Sequence, residues 1–331
     1  MKKRVFACIL ALCLCAGLFV GLIAGCSHSE NAPDPSKPQI VVTVFPIYDW
    51  MQNLLSDRAG EFGLTLLESS GADLHNYQPT VNDIYALSNC DLFVYIGGES
   101  DQWVADALTQ AANKDMIVVN LVDALGGLAR EVELPEGLTE DEDEHGHEHD
   151  GPEYDEHIWL SVRNAAALCR VLTDALAKLD AANAEEYREN CEAYTAQLDM
   201  LDAGFTRVVN DAPTKTLLFA DRYPFLYLVK DYGLTAYAAF SGCSAETEAS
   251  FEMIRFLVGK VDELGLKHVI VLESGDQRIA TTIISESRGK DAEILTLNSM
   301  QSVTMDDVKN GVSYFGLMQE NLAVLEAALA N

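Results

Sequence analysis

Histidines are the residues best able to do chemistry in this chain, since there are only seven among 331 residues. Three of them, His145, His147 and His149, alternate with glycine and carboxylates in one short stretch. Zinc accepts imidazole nitrogens and carboxylate oxygens, so the stretch is predicted to collect divalent metal with low affinity and flexible, unselective geometry. The alternative is an acidic insert that only keeps the protein soluble. Histidine adds little charge at neutral pH, so its clustering favours the metal-binding interpretation.

The surrounding segment, residues 140–155, reads EDEDEHGHEHDGPEYD and contains almost no apolar side chain. A segment with so many like charges repels itself and has little apolar surface to bury. We therefore expect the whole segment from Glu140 to Asp155 to be a solvated, disordered loop.

Two other histidines, His75 and His157, lie in segments predicted to be loops that open toward a cleft. Residues 70–79 read SGADLHNYQP, and residues 155–160 read DEHIWL. Taken singly, each histidine would more often be an ordinary surface or core residue. Together, the segments resemble the two ligand motifs of the zinc- and manganese-binding solute-binding proteins of ABC transporters. Those motifs read roughly Gly-x-x-x-His-x-(Tyr/Phe)-x-Pro and Asp-x-His-x-Trp-Leu.

The resemblance covers nearly the whole mature chain. Residues 187–201 are similar to the helix that connects two lobes, 219–225 to the start of the second lobe, and 243–250 to a loop common in clostridial-type members. The resemblance implies an α/β fold of two similar lobes with parallel sheets, joined by one long helix. It also implies a metal site in the interlobe cleft, with His75 and His157 among its ligands.

The second lobe departs from the family pattern at two ligand positions. Many members carry a third histidine or a glutamate where, counting back from Tyr232, this chain has Arg222, which cannot ligate a cation. Asp221 beside it can. The matching residue in the loop after the last strand is Asn298, a weak oxygen donor. Glu273, at a predicted strand end, is a further candidate, and its alternative role is a salt bridge to Arg222.

Two imidazoles with one or two carboxylates favour zinc, which takes nitrogen and oxygen donors in a four-coordinate shell. Manganese prefers a larger, oxygen-rich set. Since imidazoles bind metal when neutral, affinity is expected to fall as the pH drops below the ordinary imidazole pKa. By the resemblance, a monomer captures the ion without catalysis and passes it to an ABC permease. The long helix would limit hinge motion, so that loading shifts one lobe only slightly.

Three alternative functions have to be weighed against this one. Zinc held by two histidines and a carboxylate is also a hydrolytic site. The sequence has no His-Glu-x-x-His helix, Gly-x-Ser-x-Gly turn or phosphate-cradling glycine loop, so we predict that the chain is not an enzyme. The second alternative is a manganese-binding homologue. The third is a metal-buffering or adhesin-like surface lipoprotein with a degraded cleft.

The N-terminus has the layout of a secretory signal, with basic residues at 2–4 before an apolar run over 5–24. The run ends in IAGC, which resembles the lipobox of bacterial lipoproteins. This implies that residues 1–25 are removed, that Cys26 is lipidated, and that the protein is held outside the cell on the membrane. Residues 26–37 are polar, as in a tether, and favour this interpretation over an uncleaved signal anchor.

Composition narrows the partners. With 52 acidic and 22 basic residues the formal net charge is -30, which disfavours nucleic acid and enriches cations near the surface. The mature chain contains four cysteines in addition to Cys26: Cys90, Cys169, Cys191 and Cys243. Because no CxxC spacing occurs, they are predicted to be buried thiols or to form one or two disulfides.

Short β-branched runs alternate with helical patterns, as in lobes built on parallel strands. The predicted strands are 40–44, 64–67, 92–96, 116–119, 216–219, 234–239, 268–272 and 293–297. The predicted helices include 48–57, 246–264 and 312–329, and an apolar stripe at steps of three and four between Tyr187 and Val208 predicts one long helix. The domains are therefore a first lobe over 38–180, a connecting helix over 181–212 and a second lobe over 213–331.

Overall fold

Two four-stranded parallel sheets organise the residues that the structure, a computed structural model, describes, namely 36–71, 74–138, 153–242 and 249–330. Most strands are rich in Val, Ile and Leu, as expected where helices cover both faces of a sheet. Each sheet forms the centre of one lobe, and the described residues from Lys37 onward make one compact unit.

The first sheet has the strand order β2-β1-β3-β4, and all neighbouring strands are parallel. Its strands are β1 (Gln39–Val42), β2 (Gly63–Leu66), β3 (Leu92–Tyr95) and β4 (Ile117–Asn120). Its helices are α1 (Phe45–Leu55), α2 (Val81–Asn89), α3 (Trp103–Gln110) and α4 (Leu121–Leu125). Parallel strands place their carboxyl ends at one edge, so the loops after β2 and β3 meet there on either side of β1.

The second sheet repeats this order as β6-β5-β7-β8, again with parallel neighbours. Its strands are β5 (Thr216–Phe219), β6 (Thr235–Ala238), β7 (His268–Leu272) and β8 (Glu293–Leu297).

Two helices lie between the sheets in sequence, α5 (Val162–Leu179) and α6 (Ala184–Asp211), and they pack against each other. The helices of the second lobe are α7 (Leu226–Tyr232), α8 (Phe251–Leu264), α9 (Arg278–Glu286), α10 (Met305–Lys309) and α11 (Tyr314–Leu329). The long helix α6 has 28 residues, and its predicted apolar stripe is buried. Both α1 of the first lobe and α11 of the second pack on α6, which thereby joins the lobes.

The predicted α/β fold with two parallel sheets and one long helix is confirmed. Two of the helix starts that differ from the prediction have an identifiable cause. Helix α1 begins at Phe45 and not at Tyr48, because Pro46 fits the first turn, where its missing N–H leaves no bond unmade. Helix α8 begins later than predicted, at Phe251, where the Ser250 side chain caps it.

The prediction that a solvated loop extends to Asp155 is wrong at its end. Tyr154 forms an isolated antiparallel bridge with Glu131, and Asp155 is only 4% exposed. Asp155 is not a solvated charge, because its carboxylate accepts the backbone N–H of His157.

Several predictions fall outside the described residues. They concern the signal over 1–25, Cys26, His145, His147, His149 and Cys243. The cysteines at positions 90, 169 and 191 are buried free thiols. Within the described ranges, none of the helices combines the length and apolar character needed to cross a bilayer.

Candidate metal site

His75 lies in the loop after β2, within the short 3-10 turn Leu74–Asn76. Leu74 is buried and anchors this turn in the core. The loop after β3 carries Ser100 to the same edge of the sheet, because β1 lies between β2 and β3. The topology thereby brings Ser100 Oγ to 2.8 Å from His75 Nδ1.

His157 immediately precedes the 3-10 turn Ile158–Leu160, which leads into α5. Its side chain is fully buried, at 0% exposure. The His157 backbone N–H donates to Asp155 Oδ1 at 2.8 Å, and the same oxygen lies 3.1 Å from His157 Nδ1. Asp155 therefore orients both the backbone and the ring of His157.

The two imidazoles face each other with their Nε2 atoms 3.3 Å apart. Each Nδ1 contacts an oxygen, so an Nδ1–H tautomer on both rings turns two lone pairs toward each other. Such lone pairs repel unless a proton or a cation lies between them. A zinc ion bound to both nitrogens at about 2.05 Å with a tetrahedral angle would hold them about 3.3 Å apart. The spacing of His75 and His157 therefore suits a tetrahedral ion.

Glu156 is buried beside His75, with an exposure of 2%. Its Oε1 accepts the Ser100 N–H at 2.7 Å, and its Oε2 lies 3.7 Å from His75 Nδ1. Burial raises the pKa of Glu156 to about 7, although hydrogen bonds from Ser100 oppose the rise. Gly98 permits this packing, because its φ is +97° and a Cβ there would lie 2.5 Å from Glu156 Oε1.

Asp101 is a second buried carboxyl group at this edge. It accepts the Gly97 N–H at 2.9 Å, and burial raises the pKa of Asp101 to about 6. Its charge also contributes to the raised pKa of Glu156. Glu156 lies beside His75 and Asp155 beside His157, and negative charge on these groups favours a bound cation.

Residues of the second lobe hold the segment that carries His157. The Trp159 indole N–H donates to Ser299 O at 2.9 Å, and the Tyr314 hydroxyl donates to Trp159 O at 2.7 Å. The Tyr227 hydroxyl donates to Asp155 O at 3.0 Å. The position of His157 therefore depends on both lobes.

The second lobe reaches the His157 ring itself at Gly242, where a Cβ would lie 3.4 Å from His157 Cε1. The histidine pair thus lies where the lobes meet. In the part of the chain that the structure describes, no group of three or more His, Cys, Asp or Glu side chains is arranged to hold one metal ion. Among the described residues, the candidate metal donors that face each other are the two imidazoles of His75 and His157.

Comparison with known proteins shows the family of this chain. The family model described as the periplasmic component A of the zinc-uptake complex matches residues 40–328. The chain belongs to this zinc-uptake component A family. Its matched region contains both lobes, the long helix and the histidine pair.

Individual relatives agree with the family match. The zinc-binding lipoprotein AdcA of Streptococcus pneumoniae is 29% identical over 314 residues, covering 95% of this chain and 60% of AdcA. The high-affinity zinc uptake system protein ZnuA of Bacillus subtilis is 28% identical over 325 residues, covering 95% of this chain and 97% of ZnuA. The crystal structure of Zn(II)-bound AdcA from Streptococcus pneumoniae has a TM-score of 0.69 and 26% identity, over 89% of this chain and 58% of that chain. This chain therefore spans about three fifths of the AdcA relatives.

In this member of the zinc-uptake component A family, the second-lobe candidate Asp221 contacts backbone. Its Oδ1 accepts the Arg222 N–H at 2.8 Å, and its Oδ2 accepts the Leu272 N–H at 3.0 Å. Gly275 lies so close that a Cβ there would be 1.9 Å from Asp221 Oδ2. The carboxylate thereby ties together the ends of the adjacent strands β5 and β7.

Glu273 and Asn298 hold the loop after β8. Glu273 Oε2 accepts the Ser299 N–H at 2.8 Å, and Glu273 Oε1 accepts the hydroxyls of Ser299 and Ser302 at 2.9 and 3.2 Å. Asn298 Oδ1 accepts the Met300 N–H at 2.8 Å. These contacts fix the loop whose Ser299 carbonyl receives the indole N–H. All three second-lobe candidates stay predictions as metal ligands.

The sequence interpretation did not single out Ser100 and Glu156. Glu156 occupies the unspecified position between the aspartate and the histidine of the second ligand motif, and Ser100 lies 25 residues after His75. A signal was present in the two glycines that follow β3, since paired glycines after a strand permit a close approach of other groups to the backbone. Here the approaching group is Glu156.

Proposed function

We propose that this chain is the zinc-binding component of an ABC-type uptake transporter, which captures the ion outside the cytoplasm and delivers it to the permease. The observation that carries the proposal is the 3.3 Å spacing of His75 Nε2 and His157 Nε2, with each Nδ1 turned to an oxygen. The description of the family as a zinc-uptake component, and the names of the relatives, support it.

Zinc suits the described donors better than manganese does. Both imidazoles present a ring nitrogen, which zinc accepts in a four-coordinate shell. Manganese prefers many oxygen ligands, whereas the nearest oxygens of Asp155 and Ser100 contact the Nδ1 edges of the rings. The ring edges that face each other therefore offer nitrogen.

Capture needs no bond to be made or broken in a substrate, and the family description is that of an uptake component and not of an enzyme. The hydrogen bonds at Nδ1 keep the ring proton of each neutral imidazole away from the ion. His75 and His157 then offer lone pairs without first losing a proton from Nε2. Acid opposes binding, because a protonated ring has no lone pair to give.

A four-coordinate ion needs donors beyond two imidazoles. We propose that the second lobe supplies one or more of them from Asp221, Glu273 or Asn298. Each of these side chains now accepts a backbone N–H, and any of them that turned toward the ion would release that bond. Leaving a buried donor unpaired costs about 1–3 kcal/mol, so completion of the shell by these groups would couple loading to a rearrangement of the second lobe.

The acidic stretch is proposed to collect ions for this site. The N–H of Val132 donates to Glu153 O, and the N–H of Asp155 donates to Arg130 O, both at 2.9 Å. These bonds lead the chain from the stretch that contains His145, His147 and His149 directly into the His157 segment. Ions held loosely there would be close in sequence to His157 of the pair.

We further propose that Cys26 carries the lipid that anchors the protein to the outer side of a membrane. Residues 26–37 would serve as the tether between that anchor and the first lobe. The protein would act as a monomer whose loaded surface the permease recognises. Relatives named as lipoproteins support this arrangement.

The test is a competitive zinc titration of the purified protein against a chromophoric chelator. We expect a tight one-to-one site that is lost in His75→Ala and His157→Ala and retained in His268→Ala, a histidine at the start of β7. Deleting residues 140–152 should remove only weak additional binding. The deletion must end there because Asp155 orients His157.

Two results would overturn the proposal. Tight one-to-one binding by His75→Ala would show that the histidine pair is not the site. Loss of all binding on deletion of residues 140–152 would leave metal buffering as the function instead.

A further inference from the structure

A buried carboxyl group lies next to the proposed zinc ligand His75 without facing the ion. Glu156 Oε2 is 3.7 Å from His75 Nδ1, which is the ring edge opposite the Nε2 that faces His157. The backbone N–H of Ser100 and the close approach of Gly98 hold the other oxygen. Glu156 is therefore placed to act on the ring of His75 and not on the metal.

The Ser100 hydroxyl connects the two groups. Its oxygen is 2.8 Å from His75 Nδ1, and the backbone N–H of the same residue donates to Glu156 Oε1 at 2.7 Å, so that Ser100 lies against both groups. A hydroxyl has one proton to donate. When that proton goes to the ionised carboxylate, the hydroxyl oxygen can only accept from His75, so Nδ1 must carry the ring proton and Nε2 must carry the lone pair.

Burying a carboxyl group costs free energy unless hydrogen bonds or a nearby opposite charge compensate for the loss of water. Glu156 Oε2 has no hydrogen-bond partner among the described residues, although it is buried. His75 Nδ1 lies 3.7 Å from this oxygen, and it is positively polarised when it carries the ring proton. The orphaned oxygen thus points at the ring whose orientation zinc capture requires.

We propose that Glu156 is a positioning residue for zinc capture, which acts through Ser100 to hold His75 as the Nδ1–H tautomer with its Nε2 lone pair toward His157. The inference rests on the proposed function of the histidine pair. Partners of this kind at the far nitrogen of a ligating imidazole typically contribute about 10–100-fold to metal affinity. Asp155 has the corresponding contact with His157.

The experiment compares the wild-type protein with Glu156→Gln and Ser100→Ala. Long-range proton–nitrogen correlation spectra of the zinc-free, nitrogen-15-labelled proteins report the tautomer of each histidine. Spectra of His75→Ala and His157→Ala assign the two rings. The zinc titration described above measures the affinity of the same samples, and Asp49→Asn, which changes a buried carboxyl group in α1, is the control.

We expect His75 to be the Nδ1–H tautomer in the wild type and to shift toward Nε2–H in both variants, while His157 is unchanged. In Glu156→Gln the new amide can donate to Ser100, whose hydroxyl then donates to His75 Nδ1 and leaves the ring proton on Nε2. Zinc affinity should fall by about 10–100-fold in each variant and stay at the wild-type value in Asp49→Asn.

Three outcomes separate this inference from the proposed function. Unchanged affinity in Glu156→Gln, with binding abolished in His75→Ala, would refute the role of Glu156 and leave the zinc site intact. A fall in affinity with an unchanged His75 tautomer would also refute it, because Glu156 would then support the loop only. Tight binding by His75→Ala would refute the proposed site itself.

Discussion

Replacing Asp49 with Asn should stabilise the protein at neutral pH and lose most of that effect in acid. Asp49 lies in α1, where it is 9% exposed. Burial raises the pKa of Asp49 from its ordinary 3.8 to about 6, although the Tyr314 backbone N–H and the Asn53 side chain oppose the rise. Asn53 Nδ2 donates to Asp49 Oδ2 at 3.1 Å. These donors compensate only partly for the loss of water.

The sign of the effect follows from where the proton binds more tightly. A carboxyl group whose pKa is higher in the folded state destabilises the fold once the pH exceeds its unfolded value, and the penalty grows until the pH passes the folded value. For Asp49 the two values give a penalty of about 3 kcal/mol at pH 7.5 and about 1 kcal/mol at pH 4.5. Asn has no such penalty, so its advantage should shrink by about 2 kcal/mol between these pH values.

Urea unfolding at the two pH values measures this difference as a free energy of unfolding. Asp106→Asn is the control, because it removes the same charge from an exposed position on α3. A difference between Asp49→Asn and the wild type that does not change with pH would refute the reasoning. The reasoning would also be refuted if the gain in free energy of unfolding from Asp49→Asn were smaller at pH 7.5 than at pH 4.5.

Three further predictions concern the site. Zinc affinity should fall between pH 7.5 and pH 5 because protons compete for imidazole lone pairs, and equal affinity in the titration at both pH values would contradict histidine ligation. Gly98→Ala should destabilise the fold by about 1–3 kcal/mol, because the φ of residue 98 is +97°. It should also weaken zinc binding, because the new Cβ would displace Glu156. Gly259→Ala is the control for both measurements, because a Cβ at that position would meet nothing within 4 Å. Glu273→Ala should lower the free energy of unfolding in urea by about 1–3 kcal/mol by unpairing donors of Ser299, and unchanged stability would contradict its role in holding the loop.

The fold could be predicted from the sequence because the patterns that indicate it are local and repeated. Each buried strand is a short apolar run, and the long helix has a regular stripe that the core covers. The histidine pair was accessible for a different reason, since both ligand motifs keep their spacing in this chain. Helix starts were less accessible, because Pro46 and Ser250 determine them through single contacts.

The residues that contact the two histidines could not be predicted from the sequence. Asp155 lies at the end of an acidic run and looks like one more solvated charge, yet its partner is the ring two residues away. Ser100 and His75 meet only because β1 separates the strands that precede them. Likewise, the type of residue at Glu273 suggests a metal ligand, whereas its observed contacts are with the loop after β8. These contacts depend on the topology and could not be predicted from local patterns.

The contacts of Tyr314 have a consequence for how the protein matures. Its ring packs against Trp50 of α1 with centroids 5.3 Å apart, and its hydroxyl donates to Trp159 beside the His157 turn. Helix α11 therefore packs on α1, and the proposed zinc site is complete only when the C-terminal part of the chain has docked. Folding should accordingly be cooperative across both lobes, and under the proposed function a chain that is still being exported should not yet hold zinc tightly.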